Sequence, residues 1–177
     1  MGLMNNARAL TASVLAFTLL GLMPAHSQAT DLITQYDATV VSIHDYSVLN
    51  GRITTKASTS TVQSAASQMN KQLFVIKSAL VTFDKALTKS WSFLSPTSNG
   101  TYPARTTFRS YDLAAYSWYS FELSEQTDIS KCYSNVATSK KCVLAIRGKK
   151  AKNELAHYTA MTKQLTIMEK WRIAAGR

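Results

Sequence analysis

The chain has little of what builds a reaction centre. It holds two cysteines, three histidines, three prolines and six glycines in 177 residues. The cysteines, Cys132 and Cys142, are too far apart for a Cys-x-x-Cys redox pair, and no His-x-x-x-His or clustered Cys/His pattern offers a metal site. No glycine-rich phosphate loop and no glycine-framed nucleophile elbow is present. Acids are scarce as well, with 10 Asp plus Glu against 20 Lys plus Arg. Glycosidic cleavage wants two carboxylates across a cleft, and the best pair is Glu122 with Glu125, three residues apart at the end of an aromatic-rich stretch. Neighbours on one helix are poorly arranged to flank a bond, so a small exported hydrolase using Glu122 or Glu125 is only a second alternative. No cofactor, metal or catalytic set is assigned.

What the chain does have is helical periodicity. Val62, Ala66, Met69, Leu73, Ile76, Leu80, Phe83 and Leu87 recur at alternating spacings of three and four, with no glycine or proline among them. That is one apolar face of a long helix. From about Thr59 to Leu94 it predicts a rod roughly 50 Å long at about 1.5 Å per residue. Such a rod cannot bury its own face, and the rest of the chain must supply partners.

The amino-terminal 29 residues are set apart as a cleavable signal peptide. Arg8 precedes an uncharged run from Ala9 to Met23, Pro24 follows, and Ser27-Gln28-Ala29 places small residues where a signal peptidase reads. The apolar run, about 15 residues, is short against the roughly 20 of a spanning helix. Residues 30–177 then form a single domain with 19 basic and 10 acidic residues, a net +9 after removal of Arg8. In an exported chain two cysteines predict one disulfide, closing a loop of about ten residues and contributing at most about 3 kcal/mol.

In order, Thr30 is expected to cap a first helix with Ile33, Tyr36, Val40 and Ile43 on its face. Leu32, Tyr46 and Leu49 widen that face, and Asn50-Gly51 ends it. A hydroxyl-rich connector carries Ser58 or Thr59 as the next N-cap. Ser95 to Pro103 is the clearest break, and Tyr102 sits in it as a candidate contact at an exposed tip. On a third helix Phe108, Tyr111, Ala115, Trp118 and Glu122 share a face. Its aromatics are expected to pack on the rod, with Tyr116, Trp118 and Tyr119 as candidates for contact with another macromolecule. Asp128 to Lys141 is expected to be a polar loop holding the disulfide. Lys140, Lys141, Arg147, Lys149, Lys150 and Lys152 form a basic segment without an acid, from which Lys149, Lys150 and Lys152 are candidate contacts. A last helix is expected to show Leu155, Tyr158, Leu165, Met168 and Trp171 to the core.

The predicted architecture is all-α: an elongated bundle of three to four helices with one long central helix and one disulfide-closed loop. In length, leader and helical layout it resembles exported helical-bundle components of bacterial secretion and conjugation machines, such as small minor pilus proteins. The leader implies an exported product, periplasmic or secreted. Long amphipathic helices without a reaction centre imply a protein partner in the envelope or outside the cell, and the resemblance suggests an accessory of a secretion, conjugation or surface assembly. The other readings to weigh are a secreted basic effector or toxin acting on a membrane or host target, self-association through the long stripe, and an anionic membrane surface as partner. Nucleic acid is disfavoured, because the basic segment contains no aromatic on which bases could stack.

Overall fold

The computed structural model describes residues 24–92, 94–95 and 104–174. Most of the expected signal segment, residues 1–23, lies outside them, as do Tyr102 and most of the proline-bearing break. Four helices are seen: α1 (Pro24–Asn50), α2 (Thr59–Ser90), α3 (Arg105–Ser130) and α4 (Val136–Ala174), with a 3-10 turn at Lys131–Ser134 between the last two. α1 packs along α2, α3 packs along α4, and α2 joins the two pairs. An all-α bundle is therefore the fold, with four α-helices among the described residues. α4, at 39 residues, is longer than α2 at 32, so the rod predicted to be the long central element is only the second longest.

Local chemistry explains most boundaries. Ser58 caps α2, its hydroxyl accepting from the Thr61 backbone N–H at 3.1 Å. α2 ends at Ser90, short of the predicted Leu94, with the Trp91 N–H turning back to the Thr88 carbonyl; Leu94 is still buried. Asn135 accepts from the Ala137 N–H at 3.0 Å ahead of the first turn of α4. α1 starts six residues before the predicted cap at Thr30. Proline is well suited to a first helical turn, since its missing N–H would have no partner there.

The polar loop predicted over 128–141 is largely helical. α3 runs to Ser130, and α4 is under way by Val136. The Cys132–Cys142 disulfide, with Cα atoms 5.6 Å apart, therefore ties the 3-10 turn to the second turn of α4. Gly148 lies inside α4. A Cβ added there meets nothing within 4 Å, outside its own helix and neighbours. Gly148→Ala is expected to raise stability by about 0.5–1 kcal/mol, because alanine loses less backbone entropy in a helix. A thermal melt checks this as an upward shift of about 1–4 °C.

The core is built around α2, all eight of whose predicted stripe residues are buried, together with Ala65 and Ala86. Phe83 meets Tyr36 of α1 and Phe108 and Tyr111 of α3 in tilted and edge-on arrangements, with ring centroids 5.7–6.2 Å apart. On α1 the buried line is Leu32, Tyr36, Thr39, Ile43 and Tyr46, and the expected Ile33 and Val40 lie on its flank. Thr39 can sit inside because its hydroxyl bonds the Tyr36 carbonyl and the Tyr111 hydroxyl, each at 2.6 Å.

At the opposite end the connector between α1 and α2 is fastened to α4. The Lys140 ammonium donates to the carbonyls of Thr55 and Ala57 at 2.8 and 2.6 Å, and the Gln63 amide donates to the Ser139 hydroxyl at 2.8 Å.

Candidate functional site: a buried carboxylate cluster

The core-facing line of α3 runs Phe108, Tyr111, Ala115, Trp118, Glu122, Glu125 and Ile129 at spacings of three and four. It changes from aromatic to acidic without leaving the core. Glu122 is 1% exposed and Glu125 0%. Burying a carboxylate without partners is costly, so the packed helices must answer both.

α1 supplies Tyr46, whose hydroxyl donates to Glu122 Oε2 at 2.6 Å and accepts from the Gln126 amide at 3.3 Å. The Tyr46 ring meets Trp118 edge-on, centroids 5.4 Å apart, closing one side. α4 supplies Arg147. One of its guanidinium nitrogens lies 3.4 Å from Glu125 Oε1, and the other donates to Glu154 at 3.2 and 3.4 Å. Asn50, the last residue of α1, donates to the same Glu154 oxygen at 2.9 Å. Two carboxylates, Glu125 and Glu154, thus share one guanidinium with Glu122 close by, and Glu122 Oε1 and both oxygens of Glu125 have no hydrogen-bond partner.

The electrostatics follow. Burial, the largest cause, with repulsion from Glu154 and Glu125, outweighs the Tyr46 hydrogen bond and Arg147, and pushes Glu122 up to about 8. Burial likewise raises Glu125, against the pull of Arg147. The Tyr46 hydroxyl is raised by burial and by the carboxylate beside it, so it stays a donor. At the rim the opposite holds. Asp128 takes hydrogen bonds from Lys150 at 2.7 Å and Lys131 at 2.9 Å, which hold it down at about 2. A third acid raised by burial is Asp112, beside Arg109 at 2.8 Å; burial with nearby Asp84 pushes it up to about 6.

A carboxyl kept protonated near neutrality has the form a general acid needs. Here the two carboxyls considered for hydrolysis are sealed beneath Tyr46, Trp118 and Arg147, and no solvent-exposed carboxyl oxygen is offered to a substrate. Among the described residues, no three His, Cys, Asp or Glu side chains are grouped to hold a metal ion.

The candidate contact residues separate. Trp118 and Tyr119 are buried, so in this fold neither presents a surface to a partner; they serve the packing role also expected of the aromatics. Tyr116 is half-buried against the core. Lys150 is half-buried and engaged with Asp128, its ammonium 6.0 Å from the centre of the Phe121 ring. Lys149 and Lys152 are exposed, with no ion pair among the described residues. Leu155, expected in the core, is exposed, because the core-facing line of α4 passes through Glu154 and Tyr158.

Tyr46, Asn50, Gln126, Arg147 and Glu154 belong to the cluster and are not among the expected site residues. The signal that finds them is the spacing itself, continued through polar positions. Ser139, Val143, Arg147, Lys150, Glu154, Tyr158, Met161, Leu165 and Met168 recur at three and four along α4. Comparison of the chain with protein families, with curated proteins and with solved structures finds no match to any of them.

Proposed function

We propose that this protein is an exported helical bundle without catalysis that binds another protein in the cell envelope, as an accessory or minor component of a secretion, conjugation or surface assembly. The observation that carries the reading is a pair of neighbouring apolar residues, one of them aromatic, left outside the core. Phe74 is 69% exposed and Val75 is 51% exposed, midway along α2. Scattered surface leucines or valines are ordinary; an aromatic side chain this exposed, with an exposed valine next to it, is the kind of anchor a protein interface buries. Lys71 and Ser78 share this outward face, giving the pair a polar rim. The burial of Glu122 and Glu125 weighs against the alternative of a hydrolase using either of them.

The test is photo-crosslinking in cells, with the probe placed at Lys71 of the tagged full chain. A discrete envelope protein should be captured, and Phe74→Ser with Val75→Ser should abolish that capture while leaving the thermal midpoint within a few degrees. Undiminished capture in the double variant, or capture of nothing beyond the chain itself, overturns the reading.

A further inference from the structure

The outward face of α4 carries a row of five lysines. At about 100° per residue, Lys141, Lys149, Lys152, Lys163 and Lys170 fall within about 80° of arc, opposite the buried line through Val143, Glu154, Met161 and Met168. All five are exposed, and none makes an ion pair or hydrogen bond among the described residues. Lys141, Lys152 and Lys163 repeat every eleven residues and so return to nearly the same bearing, about 16 Å apart at about 1.5 Å per residue. The row is roughly 43 Å long. No acid interrupts it: Glu154 points inward to Arg147 and Asn50, and Glu169 is half-buried to one side.

From this row we infer that α4 docks the protein on the surface of an anionic lipid bilayer, lying lengthwise along it. This surface is on a different helix from Phe74 and Val75 and does not rest on the protein-binding reading.

Three features favour a bilayer over an acidic protein or a nucleic acid. First, every charge on the row is lysine, a hydrated point charge without the planar fork with which arginine grips one carboxylate or phosphate; that suits a surface of diffuse negative charge. Second, the positions between the lysines are small. Ala145, Gly148, Ala156, Thr159 and Ala160 are exposed and offer neither an aromatic anchor for a protein pocket nor a ring for base stacking. The face is flat, and so is a membrane. Third, Leu155 and Ile173 on one margin and Ile167 on the other are exposed, Ile173 at 72%. Apolar side chains beside lysines can enter the headgroup boundary while the ammonium groups stay at the phosphates.

The test is sedimentation of the full chain with vesicles of phosphatidylcholine alone and of phosphatidylcholine with a quarter phosphatidylglycerol. The readout is the ratio of anionic to zwitterionic binding, to which an apolar leader common to every variant contributes equally. The ratio should be large and should collapse in high salt. Changing Lys141, Lys152, Lys163 and Lys170 to Gln should reduce anionic binding at least a hundredfold, at about fivefold per lysine. The same number of changes on α2, at Lys71, Lys77, Lys85 and Lys89, should reduce it less than tenfold. A ratio near one, or equal losses from the two quadruple variants, overturns the inference: the first leaves no charge-selective surface, and the second leaves only net charge. Retention of binding in the α4 variant overturns it as well. All eight lysines are exposed, so folding is not at stake.

Discussion

Arg147→Met is expected to lower the unfolding free energy by about 3–5 kcal/mol, the usual consequence of removing one partner from a buried ionic group. The side chain is mostly buried, and it is the guanidinium to which both Glu125 and Glu154 turn. Methionine fills much of the volume, so the loss is electrostatic. Glu125 is left fully buried with no cation within ion-pair distance among the described residues. Denaturant unfolding near neutral pH checks the size, and Lys149→Met serves as a control expected to stay within about 0.5 kcal/mol. The penalty should shrink in acid, because Glu125, already raised by burial, takes up a proton and no longer needs the cation. Adding Glu125→Gln to Arg147→Met should recover part of the loss. A deficit below about 1 kcal/mol for Arg147→Met would show that the carboxylates are satisfied by something else.

Glu122→Gln is expected to do the reverse at alkaline pH and stabilise the fold. In the folded chain Glu122 keeps its proton up to about pH 8, whereas its ordinary value is 4.5. Between those values the folded state holds the extra proton, so stability falls as pH rises. The contribution of this group is complete below about pH 4.5, declines through the window and is flat above about pH 8. At about 1.4 kcal/mol per pH unit the change is on the order of 5 kcal/mol. Glutamine keeps the shape, and its amide oxygen can accept the Tyr46 hydroxyl where Glu122 Oε2 now does, at 2.6 Å. The variant should match the parent near pH 4 and exceed it by several kcal/mol at pH 9, with the slope between them removed. Urea midpoints measured across that range decide it. A variant less stable than the parent at pH 9 would mean that the charged carboxylate is accommodated.

The two variants probe the part of the structure that sequence periodicity describes least well. Where the core is made of hydrocarbon, spacing finds it. Every stripe position named on α2 is buried, and on α3 the same spacing leads from Phe108 to Trp118 and places Glu122 on the inward face. On α4 the rule fails locally, for a physical reason. Arg147, Lys150 and Glu154 hold inward positions because α3 presents acids there, so charge meets charge and hydropathy no longer separates inside from outside. The eye then takes Leu155 for the core residue, one position beyond Glu154, where the chain places an exposed leucine. The disulfide was legible from two cysteines in an exported-looking chain. Its setting was not, since the polar residues around it look like loop and are in fact the ends of two helices. Exposure of Trp118 and Tyr119 was equally undecidable, because aromatic residues serve packing and contact alike.

The ion cluster also acts as a vernier between helices. Apolar stripes of seven-residue period tolerate sliding by one heptad, about 10 Å, because Met161 or Leu165 can take the place of another large side chain. The polar section of α4 does not tolerate it. Slid one way, Glu154 arrives where Arg147 stands, and carboxylate faces the carboxylate of Glu125. Slid the other way, Arg147 arrives where Glu154 stands, and its donors meet the Asn50 amide that now donates to an acid at 2.9 Å. Each misalignment places like beside like at a buried position. Charge therefore favours a single alignment of the long helix, and the Cys132–Cys142 bond ties the first turns of α4 to the 3-10 turn in that alignment.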